Sequence, residues 1–427
     1  MKERTTDVLV IGGGSAGCFA AICAARAGAE VLLVEKNGML GGTTTGGRVN
    51  FPGLFHAWGK RIVGGPAWES ILRCVERRGA VLPPFPYQSE HHNQQQILVD
   101  VFTYTCILDE MCTEAGVRLL FHSMVAEVRE ETDGVCASVA TKSGLLRVRA
   151  KVLIDATGDA DALRLAGCEY AVGEETQPAT LIHDLEGYDP ERLDEAVFRA
   201  RLEECYREGR LTRADSQGRD LYRQVLKKRI HMHIPAPDAY TSEGKTALEI
   251  RARATLAKIL NCLSEIPGLE GIRVSRFGNE CGVRETVRIV GEHEITAAEY
   301  LSGEVREDSV CHAFYPIDLH VETGIKQIFL EKDKVPCVPY GSLVPKGTAH
   351  LLAAGRCISS DRDANSALRV QATCMATGQV AGVAAAICAR NGCRVDRVPM
   401  DELKQTLRKL GAIVPGEKEK GEKNETM

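Results

Sequence analysis

Three glycines set in a fixed frame constrain this chain more than any other feature. Val8, Leu9, Val10 and Ile11 make a short apolar run suited to a strand buried on both faces. Gly12, Gly14 and Gly17 follow as G-x-G-x-x-G. In that pattern the first glycine permits a tight turn, the second lets the backbone approach a diphosphate, and the third lets a helix pack closely on the strand. The spacing predicts an alanine-rich helix from about Ser15 to Arg26, whose first-turn N–H groups, those of Ser15 and Ala16 among them, face an anion. A second strand, Val31 to Val34, ends at Glu35, where a carboxylate can accept hydrogen bonds from a ribose, with Lys36 beside it. Strand, turn, helix, strand and terminal acid in register predict an α/β fold with a doubly wound parallel sheet of Rossmann type.

Distant segments extend the same site. Residues 151–167, KVLIDATGDADALRLAG, end a strand in ATGD: Ala156 and Gly158 lie at the turn, and Asp159 can accept hydrogen bonds from a ribityl chain. A plain strand-to-helix turn with an Asp cap would read similarly, but the N-terminal fingerprint favours the cofactor role. Residues 350–359, HLLAAGRCIS, supply Gly355 and Arg356 and lead into a helix-like run, 375–392, that contains Gly378. The loop 36–50 is dense in glycine and threonine, and Gly42 and Thr43 there suit a cofactor backbone. A nucleotide fingerprint completed almost at the other end of the chain implies a long cofactor shared between remote stretches. That points to FAD and away from NAD.

The chain has 427 residues, 44% hydrophobic and 26% charged, enough to bury a large core in more than one unit. A formal net charge of −5 gives no nucleic-acid footprint. The N-terminal apolar region is broken by glycines, Arg26 and Glu30, so no membrane span is expected. MKERTTD leads into a strand and not a signal-peptide core, which makes a cytoplasmic location the expectation. Sixteen cysteines are scattered without a C-x-x-C pair, so no metal site is expected and a reducing compartment fits better.

The expected layout is an FAD-binding domain over 1–166, a substrate domain over 167–345, a C-terminal completion of the FAD-binding domain over 346–400, and a terminal helix with a disordered tail over 401–427. A helix is predicted over 93–115, with Ile97, Leu98, Val101, Leu108 and Cys112 on one stripe. The stretch holding Pro83, Pro84 and Pro86 before it reads as irregular. Hairpin turns at Asp133-Gly134 and Ser143-Gly144 predict a three-stranded antiparallel β flap ahead of a parallel strand at 152–154. The inserted α+β substrate domain carries helices over 191–208 and 246–263, and the chain from Gly416 on reads as a charged tail.

As a set, these motifs resemble the FAD-dependent oxidoreductases of the glutathione-reductase superfamily, in the group related to the flavin subunit of heterodisulfide reductase. IGGGSAG with Glu35, GGTTTGG at 41–47 and IDATGDAD match the family's cofactor motifs. LLFHSMVAEV resembles the strand whose backbone, here near Val125, meets the adenine, and GVRETVRIVGEHEIT resembles a G-x-R-E-x-R signature. Two positions depart from the pattern: Gly341 stands where relatives often carry Arg, and Arg362-Asp363 where they often carry His. The cysteine clusters of heterodisulfide reductase are missing.

The resemblance implies hydride transfer at flavin N5 with a small-molecule substrate and an electron donor or acceptor of unspecified class. Arg284 is the candidate for holding a substrate carboxylate or carbonyl, and Glu285 for orienting Arg284 or acting as a base. Arg369 adds charge near the start of a helix expected from about Thr373, and Cys374 beside it reads as a packing thiol. His320, with His231, His233 and His312, supplies the acid–base candidates, whereas His122 reads as a core residue. His56, after the glycine–threonine loop, leaves covalent attachment of the flavin open. Alternative readings are an electron-transfer flavoprotein subunit of a heterodisulfide-reductase-like complex and an NAD(P)-dependent dehydrogenase without flavin. Oligomeric state is left open, with a homo-oligomer among the options.

Overall fold

The computed structural model describes residues 2–83, 95–216, 220–321 and 324–416. Its centre is a parallel sheet in the order Arg118–Leu120, Val31–Val34, Lys2–Ile11, Gly144–Asp155, Leu351–Ala353. Val8, Leu9 and Val10 are fully buried, as a strand covered on both faces requires. The N-terminal strand lies at the middle of this sheet and the late strand Leu351–Ala353 closes one side. Chain ends that are remote in sequence therefore share one sheet edge, where an open α/β sheet gathers its ligands.

Three expectations change. The flap and the next parallel strand are one element: Gly144–Asp155 pairs antiparallel with Gly134–Thr141 over its first half and parallel with Leu351–Ala353 at its end. The N-terminal strand begins at Lys2, ahead of its apolar run, because Lys2–Thr6 pair with residues 146–150 and so satisfy their backbone groups. The helix predicted over 93–115 spans Val101–Glu114; Asp100 caps it, accepting from the Thr103 N–H at 2.8 Å, and Leu98 stays exposed ahead of it. Asn93, Pro84 and Pro86 lie outside the described residues, as does the expected tail over 417–427.

The helix Gln371–Asn391 packs along Ser15–Arg26 and against the central sheet, and both are built largely of small residues. By length and composition it could cross a membrane, contrary to the sequence expectation, yet its apolar window is wholly buried inside the protein. Its apolar character belongs to the core.

Apolar side chains form two cores. The first takes in the parallel sheet, the helix Gln371–Asn391 and also side chains from Val287 to Val344. The second runs from Ala179 to Val283, around the antiparallel strands Arg229–Ile234, Ala179–Glu186 and Arg273–Phe277 and the helices Glu195–Arg207 and Ser242–Leu263. Its first helix starts later than the charge pattern predicts, where Asp194 caps it, and carries the expected ion pairs, Arg199–Glu195 at 2.7 Å among them.

Candidate active site

A cavity of about 1090 Å³ opens at the carboxyl ends of the parallel strands, between the two cores. Gly12, with φ of +96°, makes the first turn; a Cβ there would sit 2.6 Å from the Ala156 carbonyl oxygen. Gly14 has open space beside it, the nearest atom to an added Cβ being the Gly42 Cα at 3.9 Å. The helix Ser15–Arg26 has no side-chain cap, so its first-turn N–H groups stay available at the cavity wall.

Ser15, Ala16, Glu35, Lys36, Gly42, Thr43, Val125, Ala156, Gly158, Asp159, Gly355 and Arg356 line this cavity together with Gly12 and Gly14. Glu35 is buried and its two oxygens accept from the Gly13 and Asn37 N–H groups, both at 2.7 Å. Each oxygen keeps a second lone pair for a ribose hydroxyl. Lys36 reaches across to Glu280 at 2.9 Å. Glycine cradle, free helix terminus and buried acid are the donor and acceptor set that an adenine dinucleotide requires, so the residues present fit FAD.

Gly17 and Gly378 do not line the cavity. A Cβ on Gly17 would fall 1.8 Å from the Gly12 carbonyl oxygen, and one on Gly378 would fall 2.1 Å from that of Ala16. Both let backbones touch, and their service to the site is indirect.

Asp159 anchors a buried triangle. Its Oδ1 accepts from Arg356 at 2.6 Å and from Thr286 at 2.7 Å, and Arg356 also donates to Thr286 Oγ1 at 2.7 Å. Burial pushes the Asp159 carboxyl up, but Arg356, Lys245 and Thr286 outweigh it and hold it at about 2. Two residues on, burial and the charges of Asp159 and Asp155 push Asp161 up to about 6. The folded state therefore holds the Asp161 proton more tightly than the unfolded chain, and ionising it between pH 3.8 and 6 costs stability. Asp161→Asn is expected to raise Tm at pH 7 above that of the unsubstituted protein, with the gap closing as pH falls to about 4. Equal Tm values at pH 7, read by calorimetry, would contradict this.

A second cluster lines the same cavity: Arg284, His231, His233, Tyr315, Asp318, His320 and Arg369. His320 Nε2 lies 3.1 Å from Asp318 Oδ2, and Arg369 Nη2 lies 3.7 Å from the same oxygen. Burial raises the Asp318 carboxyl, but His320 and Arg369 bring it down to about 2. Asp318 is therefore ionised at neutral pH, and burial with the Arg284 charge lowers His320 and keeps it neutral. The carboxylate fixes the tautomer: Nε2 carries the hydrogen and Nδ1 the lone pair, and Nδ1 has no hydrogen-bond partner among the described residues. Arg284 donates to the Pro178 carbonyl at 2.6 Å and approaches His233 Nε2 at 3.0 Å, while the His233 and His320 rings meet edge to face at 4.8 Å.

Glu285 lies outside the cavity. Only 1% exposed, it accepts from Arg362 Nε at 3.0 Å and from the Gln177 N–H at 3.1 Å. The Gln177 side chain in turn accepts from the His320 N–H at 3.2 Å and Arg369 at 3.4 Å. With no oxygen facing the cavity, Glu285 supports the cluster from behind. Arg362 is the partner that makes this arrangement, and at Gly341 an added Cβ would stand 3.0 Å from His293 Cβ, a tight contact that His293 would have to relieve. His312 and His56 do not line the cavity, and the His56 ring packs edge-on against Trp68 at 5.2 Å. Cys374 lines it, but burial pushes its thiol up to about 12 and its Sγ is 3.3 Å from the Arg369 carbonyl, which makes it a packing group.

Sequence reasoning missed Asp318, Tyr315, Gln177 and Thr286. The alternation Asp318-x-His320 within one strand is the signal that was available, since residues two apart share a face.

The chain matches the FAD dependent oxidoreductase family over residues 7–407. It is 29% identical over 161 residues to thiamine thiazole synthase of Methanothermobacter thermautotrophicus, covering 36% of this chain and 55% of that protein. It is 34% identical over 116 residues to dihydrolipoyl dehydrogenase 3 of Haloarcula marismortui, covering 27% of this chain and 22% of that one. The chain thus spans about half or less of the length of these curated relatives. Among solved structures, a geranylgeranyl bacteriochlorophyll reductase-like protein of Thermoplasma acidophilum aligns over 96% of this chain and 83% of its own, with a TM-score of 0.46 and 14% identity. The match across residues 7–407 shows that the chain belongs to the FAD dependent oxidoreductase family.

Proposed function

We propose that this enzyme oxidises or reduces a small organic molecule by hydride transfer, with Asp318 and His320 handling the accompanying proton. One observation carries the reading: a single cavity joins the nucleotide-binding edge at Gly12, Gly14 and Glu35 to the cluster of Arg284, Asp318, His320 and Arg369. FAD would be held by the residues named above and supplies the hydride acceptor or donor. Asp318 orients the His320 ring and stabilises positive charge on it, and His320 lines the cavity in which a substrate O–H or N–H would lose its proton. Gln177, fixed by Glu285, holds both His320 and Arg369 in place. The finer kinship to the flavin subunit of heterodisulfide reductase is part of the same proposal. It is supported by residues 282–288, which send Arg284 to the cavity and Thr286 to Asp159.

Purified protein is expected to be yellow, and its absorption to bleach anaerobically when a substrate is added without any partner protein. A colourless preparation that cannot be reconstituted with FAD overturns the reading. Bleaching that requires a second protein favours the electron-transfer subunit instead.

A further inference from the structure

We propose that Glu280 controls release of the cofactor: paired with Lys36, it closes the rim of the cavity, and FAD leaves only after that ion pair opens. Lys36 follows Glu35, the acid placed for a ribose, at the end of the strand Val31–Val34 in the first core. Glu280 precedes Cys281, a member of the second core, and lies 244 residues away in sequence. Their side chains meet at 2.9 Å, and both line the cavity. With 47% of the Lys36 side chain and 25% of that of Glu280 exposed, the pair stands where the cavity reaches solvent. Lys245 approaches the same Glu280 oxygen at 3.8 Å, and these two also line a separate recess beside the exposed Ile250. They form part of the wall between the cofactor's space and the outside.

A braced segment holds the carboxylate in place. The Gly278 N–H donates to the Ile182 carbonyl at 3.1 Å, and Gly282 exchanges both backbone bonds with Thr180 at 2.8 Å. Residues 278–282 are thus tied at each end to the strand Ala179–Glu186. Between these ties, the Asn279 N–H donates to the Gly46 carbonyl at 2.8 Å. An added Cβ on Gly278 would stand 3.1 Å from the Gly47 carbonyl oxygen and 3.2 Å from that of Gly46. The segment therefore lies against the glycine–threonine loop, whose Gly42 and Thr43 line the cavity. Lys36 reaches Glu280 on a flexible four-carbon stem, so the lysine is the half of the pair that can swing away.

Both groups are charged at neutral pH. Burial pushes the Glu280 carboxyl up, but Lys36 and Lys245 outweigh it and hold it below its ordinary value. Burial lowers Lys36, and Glu280 outweighs that and raises it. Like charges repel, so a carboxylate at this place can help to hold an anionic cofactor only by fixing the lysine. An ion pair so near solvent is modest in strength and screened by salt, which makes salt a direct readout of the closure.

The test follows FAD leaving the loaded protein after dilution, read as the fluorescence of free flavin, so no substrate or turnover is involved. Glu280→Gln is expected to release FAD at least about threefold faster than the unsubstituted protein in low salt. Raising sodium chloride from about 20 mM to about 500 mM should speed release from the unsubstituted protein toward the rate of the variant, and change the variant less. Lys36→Met should speed release too, with the double variant no faster than Lys36→Met alone, because a single interaction can be removed only once. Release from Glu280→Gln at the unsubstituted rate or slower overturns the inference, since the carboxylate would then only repel the diphosphate. Effects of the two substitutions that multiply overturn it as well. So does release from the unsubstituted protein that ignores salt, a result that stands even if neither variant folds. The inference rests on FAD filling the cavity: a protein that takes up no FAD defeats that assignment, whereas a yellow protein whose flavin leaves regardless of Glu280 defeats only this proposal.

Discussion

Replacing Gly378 and Gly382 together by alanine is expected to destabilise the protein and strip it of flavin, against the trend that helix propensity alone predicts. In an isolated helix each Gly→Ala change stabilises by about 1 kcal/mol. Here both glycines face the helix Ser15–Arg26: an added Cβ would stand 2.1 Å from the Ala16 carbonyl oxygen at one site and 2.1 Å from that of Ala20 at the other. Those neighbours are backbone atoms of the buried residues Ala16 and Ala20, so no side chain can swing aside. The helices must separate, and each site carries an overpacking penalty of about 1–3 kcal/mol. The effect reaches the cofactor because the helix Ser15–Arg26 presents its first-turn N–H groups to the cavity, and moving it misplaces them. Calorimetry and the flavin-to-protein absorbance ratio measure the two effects. A Tm equal to or above that of the unsubstituted protein would show that the close packing carries no weight.

This contact also shows what a sequence can announce. The cofactor edge was readable because backbone geometry dictates residue type there: Gly12 must take a positive φ, Gly14 must leave space, and Glu35 must end its strand. Each requirement is local and leaves a mark within a few residues. Gly378 was noticed and given the wrong neighbour, since small residues in a helix signal close approach without saying what approaches. The triangle of Asp159, Thr286 and Arg356 left no local trace at all, because its corners lie in three separate stretches of chain. Glu285 misled for a related reason. Arg284 and Glu285 are adjacent, but neighbours on an extended segment point to opposite sides, so the cavity took one and the packed interior the other. Asp318 was legible in principle through its i, i+2 relation to His320. Its partnership with Arg369 depends on how the strand Ile317–Val321 meets the end of the helix Arg362–Leu368, which no local pattern encodes.

Asp318→Asn is expected to cut turnover by about 10²–10⁴ while leaving FAD bound. The carboxylate accepts the His320 Nε2 hydrogen at 3.1 Å and a Gln327 amide hydrogen at 2.9 Å, so it acts only as an acceptor. An asparagine can turn its N–H₂ toward Nε2 and drive the ring into the other tautomer, which changes where the ring can take up a proton. The variant also lacks the charge that stabilises an imidazolium, so even molecules in the right tautomer react more slowly. Flavin retention should survive, because Asp318 makes none of the contacts at Gly12, Glu35 or Asp159. Stability should also respond to pH. With its folded value near 2 and its ordinary value at 3.8, Asp318 contributes stability that is complete above pH 3.8 and fades as pH falls toward 2. The variant is therefore less stable at pH 7, and the gap narrows in acid. His320→Gln should cost about as much turnover as Asp318→Asn, and the double variant little more than either, since the two side chains act as one unit. Additive losses, or an Asp318→Asn rate within about threefold of the unsubstituted enzyme, would mean that the proton leaves by another route.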